Sequence, residues 1–207
     1  MIIRLEEKKD FFEVEALIRE AFWNVYKPGC SEHFIMHKMR THKDFIPQLS
    51  FVMQDDSREN APIIGQNVFF PAEIACFDGK KLKIATMGPI GIHPDYKRKG
   101  FGKMLLDYTL QKAKDYGFGA VCFEGNIDFY GKSGFDLASK MHVHYHGLPP
   151  EDEVPFFLCK ELVPGFLRGI EGTYASPDVY FADDADVDAF DANFAPKQKL
   201  KLPGQLF

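Results

Sequence analysis

The spacing of hydrophobic residues near the N-terminus predicts a short strand followed by an amphipathic helix. Residues 2–5 (IIRL) form the predicted strand. The next apolar residues recur at intervals of three and four, which is the period of one helical face. They are Phe11, Val14, Leu17, Ile18, Ala21 and Phe22. After a break at 27–29, Ser31 is expected to cap a second, shorter helix. Its apolar stripe comprises Phe34, Ile35 and Met39.

The middle of the chain alternates apolar and polar residues in the manner of strands joined by turns. Strands are predicted at 49–54, 63–70, 72–77 and 81–87, with a polar loop at 55–61. Pro71 is expected to interrupt strand pairing, because proline has no backbone N–H to donate. The pair Asp78-Gly79, flanked by two apolar runs, is a strong local signal for a β-hairpin. We therefore predict an antiparallel meander in this region.

A change of period after residue 87 predicts a strand, a helix and a further strand. The helix should begin near Gly100 and end at Gly117. Its apolar residues are Met104, Leu105, Tyr108, Leu110 and Ala113. Residues 120–123 then form a buried strand. Because this strand is reached through a helical crossover, it should lie parallel to the strand ending at Ile92, in the right-handed sense. The expected fold is a mixed, twisted sheet with helices on its faces.

The C-terminal part of the chain gives weaker signals. Residues 154–162 are expected to form a last strand, and an irregular segment should follow to about Phe181. The acidic run DDADVDAFDANF and the basic end KQKLKLPGQLF lack a full helical or strand period. We predict a domain covering 1–165 and a C-terminal extension, 166–207, that is partly docked or disordered.

Composition limits the class of protein. The chain has 207 residues, of which 45% are hydrophobic, enough to bury a substantial core. Its formal net charge of −5 disfavours a general affinity for nucleic acid or acidic membranes, which select basic surfaces. The four cysteines form no CxxC pair, which indicates reduced thiols rather than disulfides or a zinc ribbon. Since no run approaches about 18 apolar residues and the N-terminus lacks a signal-peptide pattern, we expect a cytoplasmic protein.

Candidate chemistry is concentrated at a basic, glycine-spaced turn where a strand gives way to a helix. The turn consists of Lys97, Arg98, Lys99, Gly100, Phe101, Gly102 and Lys103. The first amides of a helix have no partner within the helix and carry part of a positive charge, so they bind anions such as pyrophosphate. The two glycines would let phosphates approach the backbone. An ordinary solvated loop is the alternative for such a turn taken alone.

Two blocks of residues together resemble the signatures of the GNAT superfamily of acetyltransferases. The first block is Ile90, Gly91, Ile92, Pro94, Lys97, Gly100 and Gly102. Lys97 stands where the family usually has arginine or glutamine. The second block is Asn126, Phe129, Tyr130, Gly134 and Phe135. The segment is especially similar to the bacterial YhbS-like branch. The resemblance implies an α+β fold whose central twisted sheet is mostly antiparallel, with one splayed parallel pair, and is flanked by helices.

The resemblance also implies that acetyl-CoA is the co-substrate and that no metal is needed. Its pyrophosphate would lie on the turn at 97–103, and its pantetheine would pair with backbone groups at 90–92. Gly91 would clear the strand surface for it, or would serve only the shape of a bulge. Asn126 and Tyr130 would complete the cofactor site.

The implied reaction is direct attack of a primary amine on the thioester in a ternary complex. Tyr130 matches the position of the family's general acid, and a phenol with a pKa of about 10 can protonate a thiolate with a pKa of about 8.5. Packing of a short helix is the alternative role of its ring. An alkylammonium must lose a proton before it attacks, and Glu124 is the first choice of base. Glu73, His93 and Asp128 remain alternatives.

The histidines favour structural positions over a metal site. His142, His144 and His146 would share one face of a strand, which is most simply an exposed face. His33 and His37 lie four apart on a predicted helix without an HExxH pattern, and they are expected on the surface.

Two other functions stay open from the sequence. A CoA-binding sensor would keep the glycine turn without turnover. A nucleic-acid-binding module would use the KRK run at 97–99, although the acidic remainder of the chain disfavours it. For an enzyme, the acceptor is a small-molecule or peptide amine that the sequence does not identify. We expect a monomer or homodimer with no nucleic-acid or membrane partner.

Overall fold

The computed structural model describes residues 1–205, which form ten strands and five α-helices. The strands are β1 (Ile2–Leu5), β2 (Ser50–Gln54), β3 (Ile63–Cys76), β4 (Lys81–Met87), β5 (Gly91–Ile92), β6 (Ala120–Glu124), β7 (Asp136–Leu137), β8 (Val143–Tyr145), β9 (Phe157–Glu161) and β10 (Gly172–Tyr174). The α-helices are α1 (Phe11–Phe22), α2 (Glu32–Met39), α3 (Phe101–Tyr116), α4 (Ile127–Tyr130) and α5 (Asp184–Asp191).

The fold is mixed α/β with an open, mostly antiparallel sheet, as the sequence predicts. Strands β4 and β6 pair in parallel, and the short strands β8 and β10 form a second parallel pair that the sequence did not predict. The chain divides into two compact parts, which are described in turn. Among the described residues, the first comprises 1–68, 89–105 and 178–205, and the second comprises 69–88 and 106–177.

In the first part, helix α1 presents the predicted apolar face. Val14, Leu17, Ile18 and Ala21 are buried, and the helix packs against β5. Gly91 makes this approach possible, because a Cβ there would lie 2.8 Å from Ile18 Cδ1 and 3.3 Å from Ala21 Cβ. Close packing of a helix against the strand is therefore one structural reason for glycine at this position.

In the first part, β5 is hydrogen-bonded to the sheet along one of its two edges. β1 is antiparallel to β2, with Ile2 opposite Gln54, and β2 is antiparallel to β3. β5 pairs with β3 in the same sense, with Ile92 opposite Gly65. The strands predicted at the N-terminus and in the meander are thus confirmed.

Helix α2 forms where it was predicted but buries a different face. Ser31 occupies the N-cap position, although its side chain makes no capping hydrogen bond. The buried residues are His33, Met36 and Met39. Phe34 and Ile35, which were predicted to form the apolar stripe, are only partly buried. The surface position expected for His33 is wrong, because its ring packs against Phe190 of α5 with centroids 5.4 Å apart.

The acidic C-terminal run forms a helix that docks on α1 and α2, a helix the sequence did not predict. Arg19 Nε and Nη2 donate to the two carboxylate oxygens of Asp191 at 2.6 and 3.0 Å. The rings of Phe12 and Phe194 stack with centroids 5.3 Å apart. These contacts tie the extension to the N-terminal helices. Residues 206–207, the end of the predicted extension, lie outside the described residues.

In the second part, β3 and β4 form the hairpin that Asp78-Gly79 predicts. The amide of Gly79 donates to Cys76 O at 2.9 Å and closes the turn. Pro71 does not interrupt the ladder, since it lies opposite Ala85 in continuous pairing. The other edge of β3 is paired up to Val68 and again from Ile74, so Pro71 lies where that edge needs no donor.

The crossover through α3 delivers β6 to a parallel position, as predicted, but beside a different strand. Ala85 of β4 lies opposite Val121 of β6, whereas the sequence placed β6 beside the strand ending at Ile92. The difference arises because the chain turns after β4. Gly88 has a φ of +124°, and Pro89 cannot donate to a ladder, so β5 is a separate strand.

The buried face of α3 is rotated from the predicted one. Its buried residues are Leu105, Leu106, Thr109, Leu110 and Ala113. Met104 and Tyr108, which the sequence places among the apolar residues of the helix, are 50% and 39% exposed. The buried face includes a polar residue, Thr109. Its hydroxyl finds a hydrogen-bond partner within the helix by donating to Leu106 O at 3.1 Å. Hydrophobicity alone did not reveal this stripe.

Strand β9 forms within the predicted range but is not the last strand. β10 pairs antiparallel with β3 and parallel with β8, where Tyr174 lies opposite Tyr145. The irregular segment expected there is therefore wrong at 172–174. Tyr174 is 1% exposed and stacks on Phe157 with ring centroids 5.0 Å apart, so a buried aromatic fixes the strand. The domain boundary at residue 165 stays a prediction.

Candidate active site

The glycine turn lies in the first part, directly before α3. Arg98 and Gly100 occupy the left-handed region, with φ of +59° and +86°, a conformation that favours glycine. Met104 N donates to Gly100 O at 3.0 Å, so the amides of Phe101 and Gly102 precede this first helical donor. A Cβ on Gly100 would meet nothing within 4 Å. The space beside Gly100 is therefore open, as an anion held by the first amides of the helix would require.

The basic side chains of the turn serve different purposes. Lys97 Nζ donates to Ala21 O at the end of α1, at 3.0 Å. Lys99 Nζ donates to Asp95 O at 2.8 Å. Arg98 is exposed. Two of the four basic side chains of the turn, those of Lys97 and Lys99, thus bind protein carbonyls.

The strand segment at 90–92 offers an edge beside the turn. Gly91 of β5 lies opposite Gln66 of β3, and His93 N donates to Ile64 O at 2.8 Å. Among residues 1–205, β5 pairs with no strand other than β3. A chain of amide groups such as pantetheine can pair with such an edge.

His93 has a structural role in this region. Its Nδ1 accepts a hydrogen bond from Asp95 N at 3.4 Å and caps the short 3₁₀ turn that follows. In a neutral imidazole one ring nitrogen is the acceptor and the other carries hydrogen. The lone pair that a general base needs is therefore already directed into the turn, which disfavours His93 as the base.

In the second part, Tyr130 ends the short helix α4 inside an aromatic cluster. Its ring makes edge-to-face contacts with Phe123, Phe129 and Phe135, with centroids 4.5, 4.8 and 6.0 Å away. A Cβ on Gly125 would lie 2.6 Å from Tyr130 Cε2. Packing holds the ring tightly, so the position of the phenolic oxygen is fixed. Only the hydroxyl hydrogen can still rotate, about the C–O bond.

Asn126 begins the same helix. Its Oδ1 accepts a hydrogen bond from Asp128 N at 2.8 Å, the usual N-cap arrangement. Both side chains are exposed. This capping bond explains the asparagine of the second sequence block, because it sets the entry of α4 and hence the position of Tyr130.

Glu124 lies at the end of β6 and is held by hydroxyl groups. Its Oε1 accepts hydrogen bonds from Tyr145 OH at 2.6 Å and from Ser176 Oγ at 3.0 Å. Burial and the Glu124 carboxylate raise the pKa of Tyr145 to about 12, so this phenol remains a donor at neutral pH. Sequence reasoning missed Tyr145 and Ser176.

The alternative base Glu73 lies on β3, toward the end of the sheet opposite to the one that carries Glu124. Its carboxylate pairs with Lys81 Nζ at 2.8 Å. Glu73 lies opposite Lys83, two positions before the Ala85 that faces Val121 of β6. Glu124 is three positions beyond Val121, so about 16 Å of strand separates the two carboxylates. The structure therefore does not bring Glu73 to the end of β6 that carries Glu124.

The alternating histidines do not share a face. His142 has a φ of +58° and precedes β8, so the strand period starts after it. His144 stacks on Phe77 with centroids 6.0 Å apart and is 12% exposed in its side chain, which corrects the expected exposed face. Within residues 1–205, no group of three His, Cys, Asp or Glu side chains is arranged to hold a metal ion. No helix in this range is long and apolar enough to span a membrane.

Comparison with known proteins places these features in a family. The sequence model of the Acetyltransferase (GNAT) family matches residues 18–135. The uncharacterized N-acetyltransferase YhbS of Escherichia coli K12 is 27% identical over 139 residues, which cover 67% of this chain and 75% of that protein. The uncharacterized N-acetyltransferase ycf52-like of Prochlorococcus marinus is 37% identical over 65 residues, or 30% of this chain and 36% of that one.

Solved structures share the fold over most of the chain. YhbS from Escherichia coli in complex with CoA has a TM-score of 0.73 at 23% identity, covering 86% of this chain and 91% of that chain. A GNAT family acetyltransferase from Brucella melitensis in complex with acetyl-CoA has a TM-score of 0.66 at 21% identity, covering 87% and 97%. At these identities the likeness concerns the fold.

Proposed function

The chain belongs to the acetyltransferase (GNAT) family, and from this premise we propose that it is an acetyl-CoA-dependent N-acetyltransferase. It would transfer the acetyl group to a primary amine by direct attack in a ternary complex. CoA and acetyl-CoA are bound by two structures of the same fold, which supports this choice of co-substrate.

The observation that carries the proposal is the turn before α3. Gly100 takes a left-handed conformation with open space in front of it, and the amides of Phe101 and Gly102 begin the helix. An anion at this position gains backbone hydrogen bonds and the favourable end of the helix dipole. In the proposal, these amides and the Arg98 side chain hold the pyrophosphate, while the backbone at 90–92 pairs with the pantetheine.

The residues of the second part supply the proton transfers. Glu124 accepts a proton from the acceptor ammonium, which gives the nitrogen the lone pair it needs to attack. As the new N–C bond forms and the C–S bond breaks, Tyr130 gives its phenolic proton to the departing sulfur. The nitrogen loses its second proton to solvent on becoming an amide, and solvent returns a proton to Tyr130. Asn126 sets Tyr130 in place by capping α4. The acceptor would be a small-molecule or peptide amine, with neither nucleic acid nor membrane as partner.

A CoA-binding sensor without turnover is the second candidate. It is favoured because two of the candidate bases already have partners. The Glu73 carboxylate is paired with Lys81, and His93 Nδ1 accepts a hydrogen bond from the backbone. Glu124 is an exposed carboxylate, and both groups that donate hydrogen bonds to it are hydroxyls. If neither Glu124 nor the exposed Asp128 accepts a proton, the chain would retain a cofactor site without a base.

The test is a panel of amines incubated with acetyl-CoA and the protein, with released CoA thiol measured and acetylated product identified by mass spectrometry. The panel should contain a polyamine, an aminoglycoside, a lysine-containing peptide and a peptide with a free N-terminus. We expect at least one acetylated product. Binding of acetyl-CoA without product from any amine would support the sensor and overturn the enzyme.

A further inference from the structure

We infer that Tyr145 and Ser176 are positioning residues that hold the Glu124 carboxylate in place for a cationic acceptor amine. The inference rests on the proposed function, in which Glu124 is the base, and it assigns a role to two residues outside both sequence blocks. It follows from the geometry around the end of β6.

Three segments that are distant in sequence converge on one carboxylate oxygen. Glu124 ends β6, Tyr145 ends β8, and Ser176 lies two residues after β10. The two hydroxyls donate to the same atom, Glu124 Oε1, at 2.6 and 3.0 Å. Among residues 1–205, no hydrogen bond is made to Oε2 and no cation lies within ion-pair distance of this carboxylate. One oxygen is thus fixed, and the other can meet a ligand.

Tyr145 is itself held rigidly. Its ring makes edge-to-face contacts with Phe156 and Phe157, with centroids 5.6 and 5.3 Å away. Backbone pairing places it opposite Tyr174 of β10. Because aromatic packing and strand pairing both fix the ring, the phenol reaches Glu124 from a defined direction. A flexible surface contact would lack this support.

Ser176 is held next to the core by the strand that precedes it. It lies two residues after β10, in which Tyr174 OH donates to Thr86 Oγ1 of β4 at 3.0 Å. Tyr174 and Thr86 are 1% and 2% exposed, so this end of β10 is fixed inside the protein. Strand β10 therefore anchors Ser176, while the proton leaves the exposed Glu124 directly to water.

The neutral hydroxyl groups that bind Glu124 suit a site for an amine acceptor. Glu73 has a lysine partner that neutralises it, whereas Glu124 is held by neutral donors, which leave its negative charge uncompensated. A carboxylate with fixed orientation and full charge attracts an ammonium group and can then take its proton. The site therefore selects acceptors whose reacting nitrogen arrives as a cation.

The experiment uses the full chain and the amine from the panel with the highest turnover. Steady-state rates are compared for the parent protein, Tyr145→Phe, Ser176→Ala, Ser176→Thr and Glu124→Gln. Tyr116→Phe is the control, because it also deletes one phenol but lies at the end of α3 and is exposed. Melting temperature and acetyl-CoA affinity are measured for each variant, so that unfolding is recognised.

Tyr145→Phe should lower kcat by about 10- to 100-fold, the range for a hydrogen bond to a charged group. The KM for acetyl-CoA should stay the same, and Tyr116→Phe should equal the parent. Ser176→Ala should lose part of the activity and Ser176→Thr should restore it, since threonine keeps the hydroxyl. A Tyr145→Phe rate within about twofold of the control would overturn the inference.

A spectroscopic arm separates this inference from the proposed function. The ¹³Cζ resonance of Tyr145, assigned with Tyr145→Phe, should move in Glu124→Gln at neutral pH, because the phenol loses its charged acceptor. An unmoved resonance would contradict the hydrogen bond. If Glu124→Gln keeps full activity, the base of the proposed function is wrong. If Glu124→Gln is inactive while Tyr145→Phe is active, the positioning role alone fails. Absence of turnover with every amine overturns both.

Discussion

Lys97 Nζ donates a 3.0 Å hydrogen bond to the carbonyl oxygen of Ala21, one residue before the end of α1. A cation at a helix C-terminus satisfies an orphan carbonyl and interacts favourably with the helix dipole. Burial lowers the pKa of Lys97, which agrees with a side chain turned toward the protein. The sequence grouped this lysine with its neighbours as a phosphate contact. The structure gives it a second purpose, that of tying the glycine turn to α1.

Replacing Lys97 should therefore change stability more than cofactor affinity. Lys97→Met keeps the aliphatic stem and should lower the free energy of unfolding by about 1 kcal/mol, the usual value of such a hydrogen bond. Arg98→Met is the matched comparison, because Arg98 is exposed on the same turn. It should weaken acetyl-CoA binding by about 0.5 to 2 kcal/mol in a salt-dependent way while leaving stability unchanged. Denaturation and calorimetry at two salt concentrations would decide, and the reverse pattern would contradict this division.

Tyr130→Phe tests the proton donor. The ring contacts with Phe123, Phe129 and Phe135 survive this change, so melting temperature and acetyl-CoA affinity should stay nearly constant. Turnover should fall by about 10² to 10⁴, the usual contribution of a positioned acid, and the loss should appear in kcat. A loss below about fivefold, or a fall confined to KM, would return Tyr130 to the role of a packed aromatic.

His33 should make the stability of the first part depend on pH. Burial, together with Arg19, lowers the pKa of His33 to about 4 against the pull of Asp191. Its Nε2 lies 3.0 Å from Asp191 Oδ1 in a direction that falls short of a hydrogen bond. Because the unfolded imidazole takes a proton near pH 6.5 and the folded one does not, stability is full above about 6.5 and declines as the pH falls toward 4.

The size of this effect is on the order of 3 kcal/mol between those two pH values. His33→Phe keeps a ring against Phe190 and removes the titration, so its free energy of unfolding should vary less with pH in this window. His146→Phe is the control, because the side chain of His146 is exposed. Urea denaturation at pH 7, 5.5 and 4.5 measures both. Equal pH slopes for parent and His33→Phe would disprove the assignment.

Local signals allowed the sequence to predict much of the fold. Apolar spacing located α1, Asp78-Gly79 located the hairpin, and Gly100 and Gly117 bounded α3, because each of these features depends on neighbours along the chain. Helix α5 left a faint signal that was missed. Val187, Phe190 and Phe194 lie three and four residues apart, but the surrounding aspartates hid the stripe.

The candidate site was less accessible to sequence reasoning, since its partners come from distant segments. Ser176 lies 52 residues from the Glu124 it binds, and Tyr145 lies 21 residues away. No spacing rule connects such positions, because pairings between strands that are distant in sequence, such as that of β10 with β8, bring them together. The glycine turn could be proposed as an anion site from the sequence, because its residues are consecutive and the amides that would bind the anion belong to the backbone.

Titration calorimetry with acetyl-CoA, comparing the parent protein with Gly102→Val, shows whether the glycine turn before α3 binds the cofactor. The valine side chain would stand at the start of α3, in the space where the pyrophosphate is proposed to approach the amides. Gln111→Val is the matched control, because it places the same β-branched residue at an exposed position of the same helix. We predict that the parent and Gln111→Val bind acetyl-CoA equally and that folded Gly102→Val binds none. Equal binding by Gly102→Val, or no binding by the parent, would contradict the account.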